Sequence, residues 1–408
     1  MKTLAVFRFN EFRNYIICRF FFILVMNMQA TLISWEVYDM TKDPFSIGLI
    51  GLFEFVPAML MSLFSGQFID KNDKKYVLQW SILMNILLSV GLLVATLPYT
   101  SAALGKSTTL IVIYTVVFFT GIARAFSGPA SFAMVSQLIP EEHLNDAVTW
   151  NSASWQIAVV MGPTLAGLMY GHFGITPTFC WIIGLFLISF VAILFVGPKP
   201  AAYVELKETI FESIKQGFQF VWRTKEILGT LTLDLFAVFF GGATAMLPYY
   251  ADVVLKVGPA GLGLLRSVPA IGSLVVLLII TLRPLKKQQG KTMLWCVAGF
   301  GVSIIVFGLS QIFWLSVVAL FASGVLDGIS MIIRSNILQL KTPDAMRGRV
   351  ASLNSIFVMS SNELGEFESG FTSKLMGVVP AVIFGGCMTV LIVAATWIKN
   401  PAIKKIKY

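Results

Sequence analysis

Long apolar runs, separated by short polar breaks, recur from one end of the chain to the other. Residues 274–282 and 378–398 show the pattern clearly. A helix of about 20 apolar residues spans the hydrocarbon core of a bilayer with every backbone group hydrogen bonded inside its own segment. The pattern therefore predicts an all-α membrane protein with twelve transmembrane helices. The predicted spans are residues 14–38, 45–69, 76–97, 109–136, 146–171, 175–197, 226–251, 260–283, 292–310, 312–339, 349–376 and 379–398.

Basic residues are distributed unequally between the loops that connect these spans. Most of the 30 lysines and arginines fall in one set of alternate loops, whereas the opposite loops carry only Lys42, Lys106 and Lys256. The positive-inside rule then places both termini in the cytoplasm, in a bacterial inner or plasma membrane. The net charge of +9 follows from this asymmetry. The basic residues form no single patch, so a nucleic-acid partner is not predicted.

An internal repeat relates the two halves of the chain. A shift of 203 residues superposes a stretch of about 47 residues without a gap. The matched pairs are Gly121 with Gly324, Pro140 with Pro343, Asn151 with Asn354, Ser152 with Ser355, Gly162 with Gly365 and Gly167 with Gly370. Two pseudo-symmetric six-helix bundles that rock around a central cavity are typical of secondary transporters. The repeat predicts bundles at residues 1–197 and 226–408.

Residues 198–225 are predicted to be a cytoplasmic linker between the two bundles. The segment begins with Pro198 and Pro200 and then becomes amphipathic. Its apolar side carries Ile210, Ile214, Phe218 and Val221. We predict that this part is a helix lying on the membrane surface.

The composition excludes a water-soluble domain and gives no sign of an enzyme. Hydrophobic residues make up 57% of the chain and charged residues only 12%, against roughly 25% charged residues in soluble domains. No HExxH, GxSxG or P-loop motif is found. The cysteines lie inside apolar runs without CxxC spacing, so neither disulfides nor a metal site is predicted. They are Cys18, Cys180, Cys296 and Cys387.

The loop after the second span carries a compact motif of glycine, aspartate and lysine. It comprises Gly66, Asp70, Lys71, Lys74 and Lys75. Gly66 is expected to permit close helix contact. The motif resembles the GxxxD(R/K)xG(R/K)(R/K) signature of the major facilitator superfamily. Asp73 stands where the signature has glycine, and asparagine or aspartate tolerates a left-handed turn better than most residues. A plain turn with positive-inside lysines is the alternative.

Two further motifs lie on neighbouring spans. Arg124–Ala130 in the fourth span is similar to the RxxQG motif of the superfamily, with Ser127 in place of glutamine. The fifth span carries Gly162, Pro163 and Gly167, which resemble the GxxxGPxxGG motif associated with antiporters and exporters. Small residues allow tight packing and proline bends the helix, so a packed, kinked helix is the alternative interpretation.

Segments along the rest of the chain resemble the secretion-effector branch of the superfamily. They are 53–57, 247–249, 261–266, 342–350 and 361–370. The resemblance implies a monomeric, proton-coupled exporter that moves a small drug-like or siderophore-like organic molecule by alternating access. It requires no cofactor other than the proton gradient. Uptake and lysophospholipid flipping by the same fold are alternatives. A membrane enzyme, a channel or a non-transporting sensor is disfavoured.

Ionisable residues inside the predicted spans are the candidates for coupling. Each costs about 2.5–3.5 kcal/mol at mid-bilayer and needs a partner or a watery cavity. They are Arg19, Glu54, Arg124, Asp234, Arg266, Asp327, Arg334, Glu363, Glu366, Glu368 and Lys374. Among them, we expect coupling through Glu54, Arg124, Asp327, Arg334, Glu363 and Glu366.

Specific pairings are open at this point. Arg124 and Asp327 occupy matching repeat positions and are predicted either to couple the halves or to form local ion pairs within one half. Asp327 and Arg334 share a helix face and are predicted to bridge through water. Glu363 and Glu366 also share a face, where one carboxylate raises the proton affinity of the other; structural anchoring to Arg334, Lys374 or backbone is the alternative. The substrate path is predicted to include Gln29, Trp35, Glu36, Tyr249 and Tyr250.

Overall fold

The computed structural model describes residues 2–199, 210–282, 288–343 and 346–404. Within these ranges the chain is helical and contains no strand. The first six long helices are α1 Asn10–Thr41, α2 Pro44–Lys71, α3 Lys74–Thr96, α4 Pro98–Val135, α5 Leu144–Phe173 and α6 Ile175–Leu194. The others are α7 Ile210–Arg223, α8 Lys225–Phe240, α9 Gly258–Leu282, α10 Gln289–Leu309, α11 Phe313–Lys341, α12 Arg347–Met376, α13 Val378–Lys399 and the short α14 Pro401–Lys404.

Twelve helical segments match the predicted spans, so the fold class and helix count are confirmed. Ten of them, among the described residues, are long and apolar enough to cross a membrane. The other two are α5 and α12, which carry more polar side chains. Both are 30 residues long, and a helix of that length exceeds the thickness of the hydrocarbon core.

The seventh span is broken, whereas the sequence predicted one continuous helix over 226–251. After α8 the chain passes through a 3₁₀ segment at Ala243–Met246 and a π segment at Tyr250–Val254. Gly241 and Gly242 lie at the break, and a Cβ on Gly242 would approach the backbone oxygen of Gly365 to 2.9 Å. Gly242 thus lets α12 approach the broken backbone closely. Pro248, which lacks an amide hydrogen, follows shortly after.

The predicted amphipathic helix of the linker is present as α7. Arg349 of α12 donates a hydrogen bond to the side-chain oxygen of Gln216 at 2.6 Å, and Val221 belongs to an apolar cluster with Val350 and Leu353. Phe218, on the same predicted apolar side, is nearly half exposed. The side chains of Ile210 and Ile214, the other two members of that side, lie outside what the structure describes. Residues 200–209 of the predicted linker lie outside the described residues.

The chain forms two compact units. Unit 1 comprises Met1–Met40, Phe53–Glu205 and Gly258–Ser267, and unit 2 comprises Thr41–Leu52, Leu206–Val257 and Val268–Tyr408. Each unit therefore includes a short segment from the other half of the sequence. The compact units are defined by contacts between residues and not by position in the sequence. The predicted bundles at residues 1–197 and 226–408 therefore stay a prediction.

A close contact between two glycines packs each segment from the other half of the sequence, Gly258–Ser267 or Thr41–Leu52, into its unit. In unit 1, a Cβ on Gly167 of α5 would meet the oxygen of Pro259 and come within 2.9 Å of the Cα of Gly263. In unit 2, a Cβ on Gly370 of α12 would come within 2.7 Å of the Cα of Gly48. Close approach of two backbones requires small residues at both positions.

The two glycine contacts are related by the repeat. Gly167 and Gly370 differ by the 203 residues found in the sequence, whereas Gly48 and Gly263 differ by 215. The same 215-residue shift relates the starts of α1 and α8, at Asn10 and Lys225. The first two helices of each half thus follow one register and the fourth and fifth helices follow another.

Candidate functional site

The loop between α2 and α3 is built around Asp73. Its side chain accepts a hydrogen bond from the amide of Lys75 at 2.9 Å and caps the N-terminus of α3. Its backbone is extended, with φ −65° and ψ 121°, so the expected left-handed turn is wrong. The aspartate fits because an N-cap residue adopts extended geometry and satisfies a free helix amide.

The lysines of this loop lie in different surroundings. Lys74 and Lys75 are buried, and the ammonium group of Lys75 donates to the backbone oxygen of Leu194 at 3.3 Å. Asp70 and Lys71 are exposed. Among the described residues, a Cβ on Gly66 would meet no atom within 4 Å, so no close helix contact forms there with this part of the chain.

The predicted antiporter-like motif on α5 serves two close contacts. A Cβ on Gly162 would lie 2.8 Å from the backbone oxygen of Leu24 on α1. Gly167 makes the contact with Gly263 described above. Pro163 lies between them inside the helix and is buried. The motif thus packs α5 against two neighbours within unit 1.

Arg124 forms an ion pair with Glu54 in unit 1. The guanidinium of Arg124 on α4 and the carboxylate of Glu54 on α2 are 2.7 Å apart. Both residues belong to the same unit, which is the local alternative left open by the sequence. The Arg124 side chain is 48% exposed. A guanidinium this exposed at membrane depth requires water rather than lipid beside it.

Arg19, on the face of α1 toward α4, has only neutral partners among the described residues. Its Nη1 donates to the hydroxyl of Tyr15 at 3.2 Å and to the hydroxyl of Ser131 at 3.1 Å. Tyr15 in turn donates to the backbone oxygen of Ser131 at 2.7 Å. The result is a cluster of one guanidinium and two hydroxyls.

A second intramembrane arginine of unit 1 also binds neutral groups. Arg266, at the start of α9, donates to the hydroxyl of Ser34 at 2.8 Å and to the backbone oxygen of Ala30 at 3.4 Å. It thereby ties α9 to α1 beside the contact between Gly167 and Gly263.

Arg334 of α11 forms a buried ion pair with Asp234 of α8 in unit 2. The side chains are only 7% and 10% exposed. Asp234 is thus an ion-pair partner of Arg334. The water bridge from Arg334 to Asp327 and the anchoring of Glu363 or Glu366 by Arg334 stay predictions. Asp327 has no ion-pair partner within the described part of the chain.

Glu363 and Glu366 of α12 face the start of α2 within unit 2. A Cβ on Gly51 would lie 2.6 Å from the backbone oxygen of Glu363 and 3.4 Å from a carboxylate oxygen of Glu366. Glu363 is 7% exposed. Lys374 lies over the ring of Phe45 at 4.6 Å from its centroid. The backbone of Glu363 and the side chain of Glu366 thus both lie against Gly51, and the interaction between the two carboxylates stays a prediction.

Two of the predicted substrate-path residues belong to the packed interior. Gln29 is 2% exposed and accepts a hydrogen bond from Ser89 at 2.6 Å. Tyr250 is fully buried, donates to the oxygen of Gly308 at 3.0 Å and packs on the ring of Phe307. Both side chains pack against neighbouring helices in this structure, and their place on a substrate path stays a prediction.

The remaining path candidates differ in burial. Trp35 is 6% exposed and packs edge-on against Tyr170. Tyr170 also donates a hydrogen bond to Glu36 at 3.4 Å. Glu36 and Tyr249 are partly buried. These three positions stay predictions for the substrate path.

Sequence reasoning noted Arg19 and Asp234 as intramembrane charges but assigned them no role. Arg19 follows the start of α1 by nine residues, and Asp234 follows the start of α8 by nine residues. The 215-residue register of the first helices was the signal that relates them. This relation is hard to detect in the sequence, because the two residues that it matches, Arg19 and Asp234, are of different types.

Comparisons with known proteins agree with this architecture. The family model of the Major Facilitator Superfamily matches residues 15–366. The enterobactin exporter EntS of Shigella flexneri is 22% identical over 377 residues, which cover 92% of this chain and 88% of that protein. The crystal structure of a D-xylose–proton symporter superposes with a TM-score of 0.73 at 14% identity, covering 97% of this chain and 99% of that one.

A bacterial homologue of the iron transporter ferroportin, in an inward-facing state, superposes with a TM-score of 0.72 at 14% identity. It covers 96% of this chain and 100% of that structure. The symporter and this homologue show the shared fold alone. The family match spans most of the sequence, and the twelve helices and internal repeat agree with it. The chain is a multi-pass membrane transporter and belongs to the Major Facilitator Superfamily.

Proposed function

We propose that the protein is a proton-coupled exporter of a drug-like or siderophore-like organic molecule that works by alternating access. It acts in a bacterial inner or plasma membrane with both termini in the cytoplasm, and the proton gradient is its driving force. The observation that carries proton coupling is the position of Asp327. The direction of transport is supported by the enterobactin exporters among its relatives.

Asp327 lies at the middle of a membrane-spanning helix. It is residue 15 of the 29 in α11, which places it about 21 Å from either end of the helix. An ionised group at this depth costs about 2.5–3.5 kcal/mol. Among the described residues no cation offsets that cost. Protonation of the carboxylate removes this free-energy cost, so Asp327 is suited to take up and release protons.

The matching position in unit 1 carries the opposite charge and a partner. Arg124 stands 203 residues before Asp327 and is paired with Glu54. The repeat thus gives one site with a permanent ion pair and one with a carboxylate that is not paired to a described cation. Only the second can gain or lose a proton without breaking an ion pair.

Glu363 and Glu366 are the second set of proton-binding candidates. The backbone oxygen of Glu363 and the carboxylate of Glu366 lie against Gly51, where α2 and α12 approach closely. Helices that separate and close during alternating access would change the hydration of these carboxylates. Their proton affinity would then depend on the conformation, which is the requirement for coupling.

The test uses inverted membrane vesicles with an acidified interior, in which an exporter accumulates its substrate. The probes are ethidium, erythromycin and a catecholate siderophore. We expect accumulation of at least one probe, lost on addition of a protonophore. Accumulation that survives the protonophore would contradict proton coupling. Uptake only into right-side-out vesicles would favour an importer, and movement of labelled lysophospholipid alone would favour a flippase.

Asp327→Asn separates coupling from substrate movement. We expect at least a tenfold loss of gradient-driven accumulation, with substrate exchange in the absence of a gradient retained, because the amide cannot bind a proton. Asp146→Asn, at the start of α5, is the matched control and should behave as the wild type. Glu363→Gln and Glu366→Gln are expected to show smaller losses. Full accumulation by Asp327→Asn would refute its role.

A further inference from the structure

The cluster around Arg19 lacks an anion. Its Nη1 is held by the hydroxyls of Tyr15 and Ser131, while its Nε atom is buried without a hydrogen-bond partner. No carboxylate in the described part of the chain pairs with it. A buried guanidinium edge with a free N–H is poorly accommodated unless an acceptor comes from elsewhere.

The equivalent position in unit 2 shows what is missing. The 215-residue shift carries Arg19 to Asp234, and the 203-residue shift carries Ser131 to Arg334. Asp234 and Arg334 form a buried ion pair between the first and fourth helices of their half. At the same place in unit 1, the arginine has a hydroxyl opposite it in place of a carboxylate. At this repeat position, unit 2 neutralises the guanidinium of Arg334 with its own carboxylate, and unit 1 offers no carboxylate to Arg19 among the described residues.

Arg19 also adjoins a hydrated face. Ser131 follows Arg124 by seven residues on α4, which is two turns along one face and about 10 Å. The half-exposed Arg124 side chain requires water on that face. A solute that reaches Arg124 from this side is therefore close to the Arg19 cluster. Tyr15 is fully buried behind it and holds Ser131 in place through its hydrogen bond.

We propose that Arg19, Tyr15 and Ser131 form a binding site for an anionic group of the transported molecule. This rests on the proposed export function and names the substrate class as an organic anion. A guanidinium presents several N–H donors that match the oxygens of a carboxylate or phosphate. The two hydroxyls fix the orientation of the guanidinium, and its free edge receives the anion.

The first test measures binding to the purified full-length protein in phosphatidylcholine nanodiscs. The probes are coumarin-3-carboxylate and the uncharged coumarin-3-carboxamide, which share size and shape. We expect the wild type to bind the carboxylate at least tenfold more tightly. Arg19→Gln should abolish this preference while leaving carboxamide binding unchanged, and Arg19→Lys should keep part of it. Arg13→Gln removes an exposed charge from the same helix and should retain the preference.

The second test places the missing carboxylate inside the protein. Ser131→Asp should pair with Arg19 as Asp234 pairs with Arg334, so carboxylate binding should fall at least tenfold although Arg19 remains. The thermal midpoint of this variant should equal or exceed that of the wild type. A purely structural role for Arg19 predicts the gain in stability without any change in the preference between the probes.

Several results would overturn the proposal. They are equal binding of the two probes by the wild type, no carboxylate binding, or an unchanged preference in Arg19→Gln. Carboxylate binding that falls when phosphatidylglycerol replaces part of the neutral lipid would assign the site to a lipid headgroup instead of a substrate. Binding needs no proton gradient, so a failure of coupled export in vesicles would leave these measurements interpretable by themselves.

Discussion

The two units contain the same packing arrangement with different chemistry placed on it. Gly167 and Gly263 in unit 1, and Gly370 and Gly48 in unit 2, make equivalent backbone contacts at repeat-related positions. The polar positions differ, because Arg19 faces Ser131 in unit 1 whereas the residues equivalent to both form a buried ion pair in unit 2.

This difference indicates which elements of a repeat are free to diverge. Small residues at a close helix contact are fixed by geometry, since any side chain would collide with the opposing backbone. Charges are fixed only by the requirement that each be neutralised or hydrated. At the positions equivalent to Arg19 and Ser131, unit 2 meets that requirement with the carboxylate of Asp234. Unit 1 has no carboxylate there, so a ligand can supply the anion.

The largest expected effect comes from breaking the ion pair of unit 2. Asp234→Asn leaves the guanidinium of Arg334 buried without a counter-ion, and removing one partner of a buried pair typically costs about 3–5 kcal/mol. We expect a loss of unfolding free energy of this size, measured by denaturant titration in mixed micelles. The double variant Asp234→Leu with Arg334→Leu should recover most of it, because no charge then remains buried.

The matched variant in unit 1 is Arg19→Leu. It removes a guanidinium that has only neutral partners, so we expect a change of no more than about 1 kcal/mol, near the net value of a neutral hydrogen bond. The comparison between the units would fail if Arg19→Leu and Asp234→Asn proved equally destabilising, because Arg19 would then have an internal counter-ion.

The next effect in size concerns the shared glycine contacts. Gly167→Ala and Gly370→Ala each place a Cβ against an opposing backbone, within 2.9 Å of Gly263 and 2.7 Å of Gly48 respectively. Overpacking of this kind costs about 1–3 kcal/mol. We expect similar losses of thermal stability from both variants, since the two contacts are equivalent. Unequal losses would show that the repeat does not extend to the energetics of packing.

Gly66→Ala is the control for the glycine series. No atom of the described residues lies within 4 Å of a Cβ at this helical position, and alanine favours a helix by about 1 kcal/mol over glycine. The variant should therefore be as stable as the wild type or slightly more stable. A clear loss of stability in Gly66→Ala would indicate that Gly66 does make the close helix contact expected from the motif.

The long apolar runs were sufficient to predict the twelve spans, because a bilayer admits few other solutions for such a sequence. The repeat at 203 residues also identified Gly167 and Gly370 as equivalent before their contacts were known. The break after α8 was missed. Glycine and proline are tolerated within transmembrane helices, so Gly241, Gly242 and Pro248 did not by themselves predict a break. The close approach of α12 at Gly242 became visible only in the structure.

Pairing among the intramembrane charges could not be predicted from spacing. Asp327 and Arg334 are correctly placed on one helix face, yet Arg334 binds Asp234 on another helix. Helical spacing describes neighbours on one helix, whereas a charge in a membrane is satisfied by whichever helix packs against it. The relation between Arg19 and Asp234 required helix boundaries, since the two residue types have opposite charge and share no sequence signal.

The smallest expected effect is at Glu54 and Arg124, and it tests the hydration on which the Arg19 site depends. Arg124 is 48% exposed, against 7% for Arg334, and exposed ion pairs contribute about 0–1 kcal/mol. A double-mutant cycle of Glu54→Gln and Arg124→Gln should therefore give a coupling energy below about 1 kcal/mol that shrinks as salt is added. A coupling as large as that of Asp234 with Arg334, and insensitive to salt, would mean that this face of α4 is shielded from water. Arg19 would then adjoin no hydrated surface, and a substrate anion would have no route to it from the side of Arg124.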